Sequence, residues 1–213
     1  MGRDRPKRWP MLVTAGALLM AGLLVLGENS AGAATGTVVS EPNYGFSFTL
    51  PVSWKQVPLN GSDVTALLNA AVHNDPTLAN ALSGEVSSAA SKGMKVFAVG
   101  PVSGSTVANL NIIVTSSDGA PTGNAFAPAA VAEAKIGLAE LKATDPKTSV
   151  VHNRLGTVAQ ATYELTLKGT PAQFGVQFYV LHKSHIEIIS VTTSSRSQSQ
   201  ADARAVVDGW RWH

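Results

Sequence analysis

The stretch ATYELTLKGTPAQFGVQFYVLHKSHIEIISVTT, residues 161–193, contains three runs in which apolar and polar residues alternate. Apolar residues at every second position predict a β-strand with one face toward a core, because successive side chains point to opposite faces of a sheet. Turn residues at 169–171 separate the first run from the second, and Lys183-Ser184 separates the second from the third. The stretch therefore predicts an antiparallel meander. Its apolar faces are Ala161, Tyr163, Leu165 and Leu167, then Phe174, Val176, Phe178 and Val180, then the run from Ile186 to Val191.

The rest of the chain contains the two periodicities that distinguish strands from helices. Alternation with a period of two predicts further strands, and apolar residues three and four apart predict helices with one apolar stripe. Such helices bury their stripes against a sheet, so the pattern predicts an α+β fold, with one antiparallel β-sheet that begins at Tyr44 and is packed with amphipathic helices. The further strands are residues 44–50, 95–99, 108–115 and 148–155, and the helices follow Ser62, Asp75-Pro76, Pro128 and Ser199.

Capping residues predict where the last two helices begin and end. Pro128 is suited to the first turn of a helix, and Asp145-Pro146 is expected to end that helix. Ser199 or a near neighbour is expected to cap the final helix. The apolar stripe of the final helix includes Trp210, which predicts a core position, whereas Trp212 cannot share that face.

The N-terminus has the three parts of a secretory signal peptide. A basic start precedes an apolar run from Met11 to Leu26, and small residues follow, with cleavage expected between Ala33 and Ala34. The predicted organisation is a signal peptide at residues 1–33, a flexible lead-in at 34–42 and a single domain at 43–213. We therefore expect export by a Sec-type signal, with no membrane span after cleavage.

Charge and cysteine content exclude several functional classes. Four of the 16 basic and two of the 14 acidic residues lie in the predicted signal, so residues 34–213 carry 12 of each. No basic run remains, which argues against a nucleic-acid partner. The chain has no cysteine. Disulfides, thiol catalysis, cysteine metal sites and lipid anchoring through an N-terminal Cys are therefore all excluded.

Several of these features together resemble a known family. The aromatic strand Tyr44-Gly45-Phe46-Ser47-Phe48, followed by Leu50-Pro51 and Trp54, resembles the opening of PsbP-like domains, and the order of elements over residues 38–212 is similar. With an export signal and a composition rich in Ala, Gly and Val, the chain resembles the LpqN-type secreted and lipoprotein family of actinobacteria. This resemblance implies a PsbP-like α/β/α sandwich and a non-enzymatic role in the cell envelope. It implies no catalytic residues. Lipoprotein members carry a Cys at the cleavage site, where this sequence has Ala33-Ala34.

The residues with the strongest chemical potential lie at the predicted hairpin tip. If Lys183-Ser184 is a two-residue turn, His182 and His185 are directly cross-strand and Glu187 lies on the face of His185. Two imidazoles and a carboxylate are ligands that zinc accepts, and His152 on another strand is a candidate for a further ligand. The alternative is a polar hairpin tip without a metal. The sequence contains no G-x-S-x-G, S-x-x-K or H-E-x-x-H motif.

Three functional hypotheses remain. The first is an exported, non-enzymatic binding or accessory protein of the envelope, with no cofactor and with an envelope protein or an apolar small ligand as its partner. The second is a secreted hydrolase or metal-binding protein with a site at the His182/His185 hairpin, and the presence or absence of stoichiometric metal distinguishes it from the first. The third is a purely structural wall component, for which cell-wall retention without a discrete partner is expected.

Overall fold

The computed structural model describes residues 36–59, 76–103, 106–166 and 171–213. The predicted signal peptide, the helix predicted after Ser62 and the turn predicted at Gly169-Thr170 lie outside these ranges. The helices are α1 (Pro76–Ser91), α2 (Phe126–Glu140) and α3 (Arg196–Gly209), with a short 3-10 helix at Gly123–Ala125. The strands are β1 (Val38–Glu41), β2 (Phe46–Thr49), β3 (Lys55–Val57), β4 (Met94–Ser103), β5 (Thr106–Ser116), β6 (Thr144–Asn153), β7 (Gly156–Leu165), β8 (Gln173–His182), β9 (His185–Thr193) and β10 (Arg211–Trp212).

The main sheet has seven antiparallel strands in the order β3-β4-β5-β9-β8-β7-β6. Strands β7, β8 and β9 are the predicted meander, and each pairs with the next over most of its length. Strand β9 also pairs with β5, which places the meander at the centre of the sheet. The α+β class and the antiparallel sheet are therefore confirmed.

A second, three-stranded sheet has the order β1-β2-β10. Strand β2 was predicted as the first strand of the main sheet, and this prediction is wrong because β2 pairs with β1 and with β10 instead. The segment expected to be a flexible lead-in contains β1, whose residues from Val38 to Glu41 pair with residues of β2. The small sheet thus joins two segments that are distant in sequence, one at each end of the described chain.

Helices cover both faces of the main sheet, and each face has its own apolar core. Helices α1 and α2 pack on one face, and α3 packs on the other together with the small sheet. The face under α3 buries alternate residues of β8 and β9, as the period of two predicts. These residues are Val176, Phe178, Val180, Ile189 and Val191, and they contact the aromatic side chains of β2 and the apolar stripe of α3.

Two predicted boundaries of α2 are wrong. The helix begins at Phe126, so Pro128 lies inside the first turn, where its missing N–H leaves no helical hydrogen bond unmade. The helix ends at Glu140, well before Asp145-Pro146. Those two residues lie in edge strand β6, at a register shift between Thr144 and Lys147. A proline is tolerated there because an edge strand with a bulge does not need that N–H.

The final helix differs from the prediction at both ends. Ser195 is the N-cap, and its hydroxyl oxygen accepts a hydrogen bond from the backbone N–H of Gln198 at 3.2 Å. Ser199 is instead inside the helix, where its hydroxyl donates to the carbonyl oxygen of Arg196. Trp210 is the C-cap residue rather than part of the helical stripe. It is nevertheless buried, stacked 4.7 Å from Phe46, so its predicted place in the core is confirmed.

Candidate functional site

The hairpin between β8 and β9 has the geometry that the sequence predicts. Lys183 and Ser184 form the turn, and Lys183 has a positive φ of 53°. His182 and His185 are directly opposite each other across the two strands. Glu187 follows two residues after His185 and therefore lies on the same face of the sheet.

The small sheet packs its aromatic side chains against this hairpin. The indole of Trp212 stacks on the imidazole of His182, with 4.0 Å between ring centroids. Tyr44 meets His185 edge to face at 5.6 Å. We call these four residues the tip cluster. Each of the four is partly exposed, so the cluster forms a surface of the protein rather than a sealed core.

Further contacts hold the last residue of the chain beside the tip cluster. The Lys183 ammonium donates a hydrogen bond to the carbonyl oxygen of His213 at 2.9 Å. A ring nitrogen of His213 lies 2.8 Å from the hydroxyl of Ser47. The backbone N–H of His213 donates to the carbonyl oxygen of Gly45. The turn of the hairpin and the end of the small sheet are therefore tied together by polar as well as aromatic contacts.

Burial changes the acid–base properties of two residues in this region. It lowers the pKa of His182, and the positive charges of Lys183 and His185 lower it further. Glu187 is completely buried between Val114 and Val180 on the neighbouring strands. Burial raises the pKa of Glu187 to about 8, and an interaction with its own backbone amide opposes this only in part. Its carboxyl oxygens have no hydrogen-bond partner among the described residues.

The structure does not assemble the zinc site that was hypothesised for this hairpin. Within the described parts of the chain, no three His, Asp or Glu side chains come close enough together to hold a metal ion. His152, the candidate for a further ligand, lies on edge strand β6, and strand β7 separates it from β8. Its ring nitrogen Nδ1 lies 2.9 Å from the hydroxyl of Thr157. The structure thus brings His182, His185 and Glu187 to one face but does not bring His152 to them.

A groove on the same face of the main sheet was not predicted. It lies between α3 and strands β6 to β8, and its volume is about 460 Å³. Buried apolar side chains of two elements form its floor, and polar side chains form its rim. The floor includes Val176, Phe178, Ala203 and Val207, and the rim includes His152, Gln160, Gln200, Arg204 and Asp208.

Asp208 and Arg204, both at the rim of the groove, differ in their contacts. The Arg154 guanidinium donates a hydrogen bond to the backbone carbonyl oxygen of Asp208 at 2.6 Å, which ties the β6–β7 turn to the end of α3. Arg204, one helical turn before Asp208, is exposed and forms no ion pair with any residue of the described ranges. No sequence pattern predicts this groove, because its residues come from distant segments and belong to no motif.

Comparison with known proteins finds distant structural similarity. No family model matches the chain, and no curated protein matches it. Solved structures to which it is similar include LpqN of Mycobacterium tuberculosis, a protein involved in cell envelope biogenesis, at 12% identity with a TM-score of 0.44, over 84% of this chain and 85% of that one. A cyanobacterial PsbP from Synechocystis is similar at 11% identity with a TM-score of 0.47, over 89% of this chain and 99% of that one.

A protein from Bacteroides thetaiotaomicron is also similar, at 12% identity with a TM-score of 0.46, over 84% of this chain. The match covers 49% of that protein, so this chain spans about half its length. At such identities neither an activity nor membership of the LpqN-type family follows, and that family assignment stays a prediction. None of the helices in the described ranges is long and apolar enough to cross a membrane.

Proposed function

We propose that the protein is an exported, non-enzymatic accessory protein of the cell envelope, and that it binds a small ligand in the groove beside α3. The observation that carries this proposal is the groove itself. Its volume of about 460 Å³ is within the range of small-molecule sites. Its apolar floor and polar rim match the usual composition of such sites, in which a few polar groups orient a mostly apolar ligand.

The chemistry of the rim favours a ligand with an apolar body and an anionic end. Arg204 is a planar donor suited to a carboxylate or a phosphate, and no acidic side chain of the described residues lies within ion-pair distance of it. The floor offers only carbon atoms of Val176, Phe178 and the α3 side chains, which suits an apolar body. The predicted signal peptide supports the location, because its export would deliver the protein to the envelope or the medium.

Affinity capture tests this proposal. The full chain is expressed with export, captured from its own envelope extract, and analysed by mass spectrometry for both lipids and proteins. A stoichiometric small ligand with an apolar body supports the carrier function. A stoichiometric envelope protein without a small ligand would make the protein an adaptor and would remove the groove from its function.

The hydrolase or metal-binding alternative has no geometric observation in its favour, since His182, His185 and Glu187 do not come close enough together to hold a metal ion, and no other three such residues do so in the described ranges. Metal analysis of protein prepared without a His tag tests it directly. Stoichiometric zinc lost in the variant His182→Ala with His185→Ala would restore that alternative.

A further inference from the structure

The groove leaves the tip cluster of Tyr44, His182, His185 and Trp212 without a function. Two lysines lie beside the tip cluster. The ammonium of Lys95 lies 5.4 Å from the ring centroid of Tyr44, and Lys183 is in the turn between His182 and His185. Neither lysine lies within ion-pair distance of a carboxyl side chain in the described ranges, although Lys95 interacts electrostatically with Glu41 and Lys183 donates to the carbonyl oxygen of His213. We propose that this end of the molecule is a docking surface for an acidic segment of a partner protein.

The first support for this proposal is the charge of the surface. The fixed cationic groups are Lys95 and Lys183. The nearby carboxyls are Glu41, which interacts with Lys95, and the buried Glu187. Burial raises the pKa of Glu187 to about 8, and this residue is closed to solvent, so it does not face a partner. Glu41 offsets the charge of Lys95, whereas Lys183 has no carboxyl side chain within ion-pair distance among the described residues, and this positive charge complements an acidic partner.

The second support is the rigidity of the aromatic side chains. Trp and Tyr are the residues that most often anchor protein interfaces, because they give a large contact area at a low entropic cost. Trp212 is held by its stack on His182, and Tyr44 is held by its edge contact with His185. Each ring is partly exposed, so a partner can contact it without rearranging the surface.

The third support is a hydrogen-bond donor that a partner can reach. Lys183 is exposed, and its ammonium uses one N–H to donate to the carbonyl oxygen of His213, so its other two N–H groups can donate to an acidic side chain. The Nε2 atom of His182 has no hydrogen-bond partner among the described residues, but it is closed to solvent and does not contribute to this contact. The rings of Trp212 and Tyr44 are fixed against imidazoles, which favours a protein segment over insertion into a lipid surface.

The test uses the exported full chain and a fluorescent peptide of about eight glutamates, with binding measured at about 50 mM and about 500 mM NaCl. The test variant is Lys95→Gln with Lys183→Gln. The matched control is Lys92→Gln with Lys135→Gln, which removes the same charge from two exposed lysines near α1 and on α2. We expect saturable binding at low salt, loss of binding at high salt, and a roughly tenfold or greater weakening in the test variant only.

Three results would overturn the proposal. These are the absence of saturable peptide binding, equal weakening by the test and control variants, and binding to vesicles that contain anionic lipid without binding to the peptide. If the acidic peptide docks at the tip cluster, amide chemical-shift changes on peptide addition also concentrate at Tyr44, His182 and Trp212. A shift pattern centred on the groove beside α3 would count against the proposal.

Discussion

The indole ring of Trp212 lies flat on the imidazole of His182, with 4.0 Å between the ring centroids and 10° between the ring planes. Trp212 belongs to the small sheet and His182 to the main sheet, so this contact joins the two sheets at the hairpin tip. The stack covers one face of the imidazole. The pKa of His182 is lowered because burial disfavours the charged ring, and because Lys183 and His185 repel it.

Removal of the indole should therefore raise the pKa of His182. In the variant Trp212→Ala the imidazole regains water on its covered face, and its pKa is expected to move up toward 6.5. Titration of the histidine ring signals by NMR measures this change, and the spectrum of His152 on β6 provides a reference that should not change. An unchanged titration midpoint for His182 in Trp212→Ala would contradict the account of the stack.

The same contact has a consequence for stability. Because the folded-state pKa of His182 lies below its ordinary value of 6.5, the unfolded chain takes up the proton more readily. The contribution of this residue to stability is therefore present above about pH 6.5, and it is lost as the pH falls from there through the lower folded-state pKa.

The buried carboxyl of Glu187 should make stability fall as the pH rises. Its pKa is about 8 in the folded protein against an ordinary value of 4.5, so the folded state keeps a proton that the unfolded chain releases. The free energy of unfolding should fall between these two pH values by up to about 1.4 kcal/mol per pH unit. Denaturant unfolding across this range should show the fall in the wild type and not in Glu187→Gln. The control Glu140→Gln, at the exposed end of α2, should keep the wild-type profile. Parallel profiles for the wild type and Glu187→Gln would contradict the assignment.

A pair of glycine substitutions tests the packing of the main sheet. Gly175 in β8 lies opposite Tyr163 in β7, and a Cβ atom at Gly175 would collide with the tyrosine ring. Gly175→Ala should therefore lower the free energy of unfolding by about 1–3 kcal/mol. Gly84 in α1 has open space around it, and Gly84→Ala should raise the free energy of unfolding by about 0.5–1 kcal/mol. Thermal or denaturant unfolding gives both values, and a neutral Gly175→Ala would show that the strand packing is different.

Export should remove the N-terminal segment. Intact-mass measurement of the secreted protein is expected to show a chain that begins at Ala34, since Ala31-Gly32-Ala33 places small residues where a signal peptidase requires them. The variant Ala33→Phe should accumulate uncleaved. Efficient cleavage of that variant, or a mature chain that begins elsewhere, would move the predicted boundary.

The meander and its hairpin could be predicted because their information is local. A period of two over ten-residue strands fixes which side chains share a face, and a two-residue turn then places His182 opposite His185. Local sequence signals led to a wrong prediction for the start of β6. Asp145-Pro146 is a stop signal in a helix or a central strand, but an edge strand with a bulge accommodates it.

The small sheet and the groove could not be predicted because their information is not local. Strands β1 and β10 have four and two residues, which is too few for a periodic pattern. The alternation at residues 44–50 predicted the strand that contains β2, but it does not reveal which strands β2 pairs with. Their pairing depends on tertiary contacts between the two ends of the described chain. The groove likewise requires the crossing of α3 over β6 to β8, which no property of Gln160 or Arg204 alone reveals.

A comparison of three proteins tests whether the groove beside α3 holds a small ligand. The amount of small molecule extracted per mole of exported protein is measured for the wild type, for Gln200→Trp and for Ala201→Trp. Gln200 is exposed and lines the groove, whereas the adjacent Ala201 is exposed and does not. We predict about one mole per mole for the wild type and for Ala201→Trp, and a loss of at least about tenfold in Gln200→Trp. Equal amounts in all three proteins, or no extracted molecule in any of them, would contradict the account.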